Sequence, residues 1–237
     1  KIEQELAAIF PEAAIDRLDA DTSQSAGGYR RIVEAFEQGR TDILLGTQIV
    51  TKGFDFGGVS LVGILNADNL LNYPDFRAGE RAFQLMTQVG GRAGRRSEPG
   101  TVVIQTAQPQ HPVIEQVLRG DYGAVVRSQL AERRAFFYPP YCRLIAVVMR
   151  HRDKELLWRA AGAFAGSARE VFGRRLLGPE APPVDRIRGR FLVRFLLKIE
   201  RRSPSAEAKR LLQELFDRLH ARTEFRSVEV AADVDPM

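Results

Sequence analysis

The chain has one cysteine, Cys142, and three histidines, His111, His151 and His220. One cysteine cannot form an internal disulfide, and with so few partners no Cys/His zinc site is expected; no metal site is read from these residues. Long apolar runs are also missing. The longest, such as Ile43-Leu44-Leu45 and Phe191-Leu192-Val193, fall far short of the roughly 20 residues that a membrane-spanning helix needs. No charged-then-apolar leader opens the chain, so a secretory signal is not expected and the reducing cytoplasm is the expected compartment. What is present is a folding composition. With 237 residues, 44% hydrophobic and 27% charged, the chain reads as one to two globular domains.

The net charge of +5 is unevenly spread. Residues 1–110 hold 11 Lys+Arg against 14 Asp+Glu, a net of −3; residues 111–237 hold 24 against 16, a net of +8. A basic half suggests contact with a polyanion, most simply nucleic acid. A solvated basic surface with no partner would give the same sum.

The first half alternates helix and strand patterns. Ile2, Leu6, Ile9 and Phe10 recur at helical spacing, and Tyr29, Ile32, Val33 and Phe36 form a second stripe closed by Gly39. Ala13 to Leu18, Asp42 to Leu45, Val59 to Leu65 and Thr101 to Thr106 read as strands, with Ala82, Leu85, Met86 and Val89 on a helix between the last two. Val/Ile/Leu-rich strands separated by helices predict a parallel sheet, whose ligands sit at the strand carboxyl ends. From His111 the pattern is helical, with Tyr122, Val125, Val126 and Leu130 on one face. Pro139-Pro140 then breaks the helix. Beyond it the order is β-α-β-β-α-β, a ferredoxin-like α+β arrangement. Its helices are expected at Lys154 to Phe172 and Ser205 to His220, and Trp158 is expected in the packed stripe of the first. The expected organisation is 1–110, a helical connector 111–141, and 142–237.

Two stretches could carry chemistry. In Gln88-Val89-Gly90-Gly91-Arg92-Ala93-Gly94-Arg95, a helical backbone would set Gln88, Arg92 and Arg95 at i, i+4 and i+7 on one face. Three glycines in a helix cost about 1 kcal/mol each, and the small residues between the arginines allow a backbone or ligand to approach closely. Arginine's planar fork suits a phosphate. The second stretch, Leu45 to Phe56, leaves a strand with backbone amides, the Thr47 hydroxyl and the Lys52 ammonium, groups that grip phosphate oxygens. It is not a Walker A loop, because Thr51 and Gly53 stand where that motif needs glycine and Ser/Thr.

Together these stretches resemble motifs V and VI of superfamily 2 helicases. Asp42 to Gln48, Thr51 to Phe56, Gln84 to Arg95, Leu130 to Arg134, Tyr138-Pro139-Pro140 and the closing Asp233-Val234-Asp235-Pro236 are together similar to the primosomal replication-restart helicase (PriA) family. The resemblance spans essentially the whole chain. It implies an α/β chain made of a RecA-like, parallel-sheet second helicase lobe followed by the smaller ferredoxin-like domain. Arg92 and Arg95 would reach the phosphates of ATP, with Mg2+, bound mainly on a first lobe, and Gln88 would orient them. Gly53 and Asp55 would lie at the nucleotide cleft, and Thr47 and Lys52 on the tracked DNA strand. The family's zinc-binding cysteines and Walker motifs would lie upstream of Lys1, which makes the chain a C-terminal fragment unable to hydrolyse ATP alone.

The basic half resembles the family's C-terminal domain, which meets branched and single-stranded DNA, the tail of single-stranded-DNA-binding protein and other primosome proteins, and no membrane. Its cations include Arg174, Arg175, Arg186, Arg188, Arg190, Arg194, Arg201, Arg202, Lys209 and Arg210. Arg188-Gly189-Arg190 reads as a turn between extended segments and a place for phosphate contacts. Lys209 and Gln213, one helical turn apart, could hold an acidic peptide tail. Any single arginine could equally be a solvated charge. Two other classes remain open at this level: a non-catalytic nucleic-acid-binding module on a helicase-like scaffold, and another superfamily 2 translocase.

Overall fold

A computed structural model describes residues 1–19, 26–46, 58–94, 100–201 and 205–236. The chain divides into two units, Lys1–Gln129 and Leu130–Met237. In the first, β1 (Ile15–Leu18) runs parallel to β2 (Ile43–Gly46), and β3 (Leu61–Ile64) runs parallel to β4 (Thr101–Ile104). Parallel neighbours need a crossover between them. Here the crossovers are the helix α2 (Ala26–Glu37) and the pair α3 (Asp68–Leu71) and α4 (Ala78–Gly90). The stripe on α2 packs as its spacing predicts: Ile32 and Val33 are buried with Leu18, and Tyr29, Phe36 and Leu44 pack against them. Gly39, at φ +69°, supplies the left-handed residue that ends this helix.

A second cluster joins Ala82, Phe83 and Met86 of α4 to Val113 and Ile114 of α5 (Pro112–Arg119) and Val125 of α6 (Tyr122–Ala135). The boundary between the units falls within α6. Of the face expected on that helix only Val125 is buried, and Tyr122 is 58% exposed. The opening helix α1 (Ile2–Ile9) forms where its apolar residues recur, yet none of them is buried among the described residues.

The second unit is a ferredoxin-like sheet. Its elements are β5 (Cys142–His151), α7 (Lys154–Phe172), β6 (Leu176–Glu180), β7 (Arg186–Ile187), β8 (Arg190–Glu200), α8 (Ser205–Ala221) and β9 (Glu229–Val234). The strand order β6-β8-β5-β9, antiparallel throughout, is that of the split β-α-β arrangement, with β7 pairing β8 as an added hairpin. Alternate residues of the two long strands point to the helices. Ile145, Val147 and Met149 of β5 and Val193, Phe195, Leu197 and Ile199 of β8 meet Leu157, Phe164 and Ala168 of α7 and Leu212, Leu215 and Leu219 of α8. Phe164 sits edge-on to Phe195, ring centres 5.1 Å apart, and stacks on Phe216 at 5.7 Å.

Trp158 is not part of that packing. It lies off the buried stripe of α7 and is 37% exposed, because Leu157, Ala160, Ala161, Phe164 and Ala168 already complete the apolar face. Asp153 caps the helix by accepting from the Leu156 amide at 3.0 Å, which holds its carboxyl below the usual range.

Truncating Phe195 empties a fully buried position in the core, packed edge-on against Phe164 of α7. Phe195→Ala should destabilise the second unit by about 3–5 kcal/mol, measured as a lower urea midpoint with Trp158 fluorescence as the reporter.

Candidate functional site

The first site is built on the end of α4. Gln88 stands exposed in its last turn, and the helix closes at Gly90. The next residues form tight turns: the Arg92 amide donates to the Val89 carbonyl at 3.0 Å and the Ala93 amide to Gly90 at 3.2 Å. Gly94, at φ +79°, then turns the chain, and its amide donates to the Val59 carbonyl at 3.0 Å. The helical face drawn through Gln88, Arg92 and Arg95 is thus interrupted before Arg92, for a backbone reason: bonds of the i→i−3 type replace α-helical ones once Gly90 and Gly91 are reached.

The small residues serve a close backbone approach. A Cβ on Gly100 would lie 2.4 Å from Ala93 Cβ and 2.4 Å from the Gly94 amide nitrogen. Arg92 is half-buried in this turn. The turn lies beside Val59 and Gly100, at the amino ends of β3 and β4, whereas ligands were expected at the strand carboxyl ends. The cause is topological: a crossover helix runs antiparallel to its strands, so its last turn returns to their amino ends. Thr47, Lys52, Gly53, Asp55 and Arg95 lie outside the described residues.

At the opposite, carboxyl end of β4, Asp68 ties α3 to the chain that leaves the strand. Its carboxylate accepts from the Ala107 amide at 2.9 Å, the main cause of its lowered pKa, and from Thr106 Oγ1 at 2.9 Å.

The second site is the basic surface of the second unit. Ile187 pairs with Arg190, so Arg188 and Gly189 are the two residues of a hairpin turn, at φ +49° and +77°. Two positive φ angles define the type I′ turn that suits a twisted hairpin, and Asn-Gly is its preferred pair. Placing arginine there costs about 1–2 kcal/mol and sets a long cation at an exposed tip. Arg190, at the base, is paired with Glu229. Arg194 is bound by Glu180 at 2.6 Å, and Arg210 by Glu214 at 2.6 Å. Arg186 lies over the Phe191 ring at 5.0 Å, with Lys154 on the same ring at 5.8 Å.

Lys209 and Gln213 are both exposed on α8, one turn apart, and the Gln213 amide donates to Asp217 at 2.9 Å. Lys209 also helps to stabilise the charge of Asp235, whose carboxyl is held below the usual range chiefly by its hydrogen bond with Arg143 at 2.8 Å. Sequence reasoning passed over Arg143, Glu180 and Glu229 as partners. They lie 92, 14 and 39 residues from Asp235, Arg194 and Arg190, distances at which no local spacing signals a pair.

On the sheet face away from the helices, Lys198 donates to the Phe136 carbonyl at 2.7 Å and lies 3.7 Å from the Tyr138 ring centre. Burial lowers its pKa. Beside it Cys142 is a buried packing residue whose thiol donates to the Phe137 carbonyl at 3.2 Å, and burial pushes its pKa up. Among the described residues there is no group of three or more His, Cys, Asp or Glu side chains able to hold a metal ion, and no helix long and apolar enough to cross a membrane.

The α/β unit that carries this arginine-bearing turn matches the helicase conserved C-terminal domain over residues 2–97. The primosomal protein N C-terminal domain matches residues 134–237. The chain is 37% identical over 238 residues to the replication restart protein PriA of Bacillus subtilis (strain 168), covering all of this chain and 29% of that protein. It is 40% identical over 241 residues to the PriA of Treponema pallidum (strain Nichols), covering all of this chain and 35% of that relative. To the PriA of Synechocystis it is 38% identical over 200 residues, 84% of this chain and 24% of that one. The chain belongs to the PriA family of replication restart proteins and spans about a third or less of the length of these curated relatives.

Two substitutions test the geometry. Gly100→Ala drives a methyl into the backbone of the Arg92 turn and should destabilise it by roughly 1–3 kcal/mol, read as faster hydrogen exchange at the end of α4. For Asp235, a carboxyl pKa lowered by folding adds stability that is present at neutral pH and lost as pH falls through the usual carboxylate range to the folded value. Asp235→Asn should therefore lower the thermal midpoint at neutral pH, and the difference from wild type should vanish at about pH 2.

Proposed function

We propose that this chain is the second-lobe and C-terminal part of an ATP-dependent 3′-to-5′ DNA helicase that restarts stalled replication forks and assembles the primosome. The observation that most supports this reading is the tandem of a helicase C-terminal match over residues 2–97 and a primosomal C-terminal match over residues 134–237, with the Gln88–Arg95 motif closing the first.

In this reading Arg92 and Arg95 complete a nucleotide site whose main cradle belongs to residues outside this chain. The surroundings of Arg92 fit a phosphate. Its backbone is fixed by two successive turn hydrogen bonds and by the Gly94 amide on the Val59 carbonyl, and its sequence neighbours Gly91, Ala93 and Gly94 are small. A guanidinium held in this way offers two parallel bonds to phosphate oxygens and meets charge as it develops. ATP with Mg2+ supplies the phosphoryl group whose loss to water drives the cycle. The part of this chain is to bind and orient that group through Arg92 and Arg95, with Gln88 positioning them and Gly53 and Asp55 at the cleft. Thr47 and Lys52 hold phosphates of the tracked strand.

The second unit binds branched and single-stranded DNA through Arg188 and Arg190, and the strained placement of Arg188 at an exposed tip supports that role. Lys209 and Gln213 receive the acidic tail of single-stranded-DNA-binding protein, and other primosome proteins join the assembly in the cytoplasm. Zinc, in this reading, is held by cysteines beyond this chain.

Residues 1–237 alone should show no steady-state ATPase activity, and turnover abolished by Arg95→Ala would overturn the division of labour. In the longer protein, Arg92→Ala or Arg95→Ala should lower kcat about 100-fold or more and leave DNA affinity unchanged. An equal loss of DNA affinity would make these arginines strand contacts.

A further inference from the structure

One end of the second unit's sheet carries a cleft of about 140 Å³ that the family motifs do not touch. Its lining is Arg150, His151, Arg152, Arg190, Ser227 and Glu229. Strand register brings these together. Arg150 lies opposite Leu192 on β8 and opposite Glu229 on β9, and Arg190 reaches over from the start of β8 to pair with that same Glu229. The carboxylate that faces Arg150 across the sheet is therefore occupied by another arginine. Arg150 and Arg152 form no ion pair with the described residues.

Neutral donors complete the lining. His151 Nδ1 lies 2.9 Å from the Asp153 amide nitrogen and 3.2 Å from the Asp153 carbonyl, and its Nε2 lies 3.2 Å from Ser227 Oγ. The Ser227 hydroxyl carries one rotatable proton that can turn to an acceptor in the cleft. Three guanidinium groups face one carboxylate, around a space sized for a small anion.

We propose that this cleft seats one backbone phosphate of the bound nucleic acid, with Arg150 and Arg152 as its principal ligands and Ser227 as a neutral donor. Glu229 restrains Arg190 and moderates the site. The assignment rests on the DNA-binding reading of this unit and extends it, since the cleft adjoins the base of the hairpin that carries Arg188.

The test is binding of a fluorescein-labelled forked DNA to residues 1–237, followed by anisotropy across a salt series. The double variant Arg150→Ala/Arg152→Ala should bind roughly tenfold more weakly, and its log–log salt slope should be shallower by about 1, the signature of one lost phosphate contact. Glu229→Gln removes the competing carboxylate and should tighten binding about threefold, a gain that misfolding cannot imitate. Wild-type binding that neither variant alters would overturn the cleft and leave the DNA reading standing. Failure of the wild-type chain to bind forked DNA would overturn both. If the double variant loses only competition by polyglutamate, the occupant is an acidic peptide and the phosphate assignment fails.

Discussion

Ten consecutive residue pairs between β5 and β8 govern the second unit. Because side chains alternate along a strand, this one register decides which residues form the core and which face outward. Val147 opposite Phe195 and Met149 opposite Val193 put the apolar set under α7 and α8. The same alternation sends Leu144, Arg150 and Lys198 to the other face, and a slip of one residue would exchange the two sets. It also fixes what lies at the ends of the strands. At one end Lys198 is held against Phe136 and Tyr138; at the other, β8 begins at the hairpin whose tip is Arg188.

The first unit depends on a different constraint, the absence of side chains. Gly100 leaves its backbone against Ala93 and Gly94, and the Gly94 amide reaches Val59. Glycine there costs backbone conformational entropy and gains contact between the turn after α4 and the segments that precede β3 and β4. The Arg92 backbone is thus placed by main-chain hydrogen bonds at Arg92, Ala93 and Gly94. In the proposed role, a backbone held in this way lets the Arg92 guanidinium be placed with less loss of entropy at the moment of binding.

Much of this was legible in the sequence, for a physical reason. Period-2 and period-3.6 patterns report burial against the nearest sheet or helix, so α7 was bounded correctly at Lys154 and Phe172, and α8 nearly so. Positive-φ residues announce themselves through glycine, as at Gly39 and the Arg188-Gly189 turn. Patterns fail where packing is supplied from far along the chain. Trp158 sits between Leu157 and Arg159 and reads as core until Ala160, Ala161 and Phe164 are seen to fill the interface. The motif around Arg92 pointed to the family, but whether its backbone was helical stayed open in the sequence, because glycines permit a helix and its termination equally; the helix ends at Gly90. The carboxylates that engage Arg190 and Arg194 come from other strands and carry no local mark.

That last point bears on what a net charge means. The excess of cations in residues 111–237 suggested a nucleic-acid surface, but a formal sum does not say where the field is strong. Arg143, Arg190, Arg194 and Arg210 are each matched to a carboxylate, so their fields are largely local. Arg150, Arg152 and Arg188 form no ion pair with the described residues and are carried by one end of the sheet and the hairpin beside it. A polyanion attracted over a Debye length of about 8–10 Å would respond to that local excess more than to the total. The sheet supplies the asymmetry: Glu229 pairs with Arg190, while Arg150, opposite Glu229 in the β5–β9 register, forms no ion pair with the described residues.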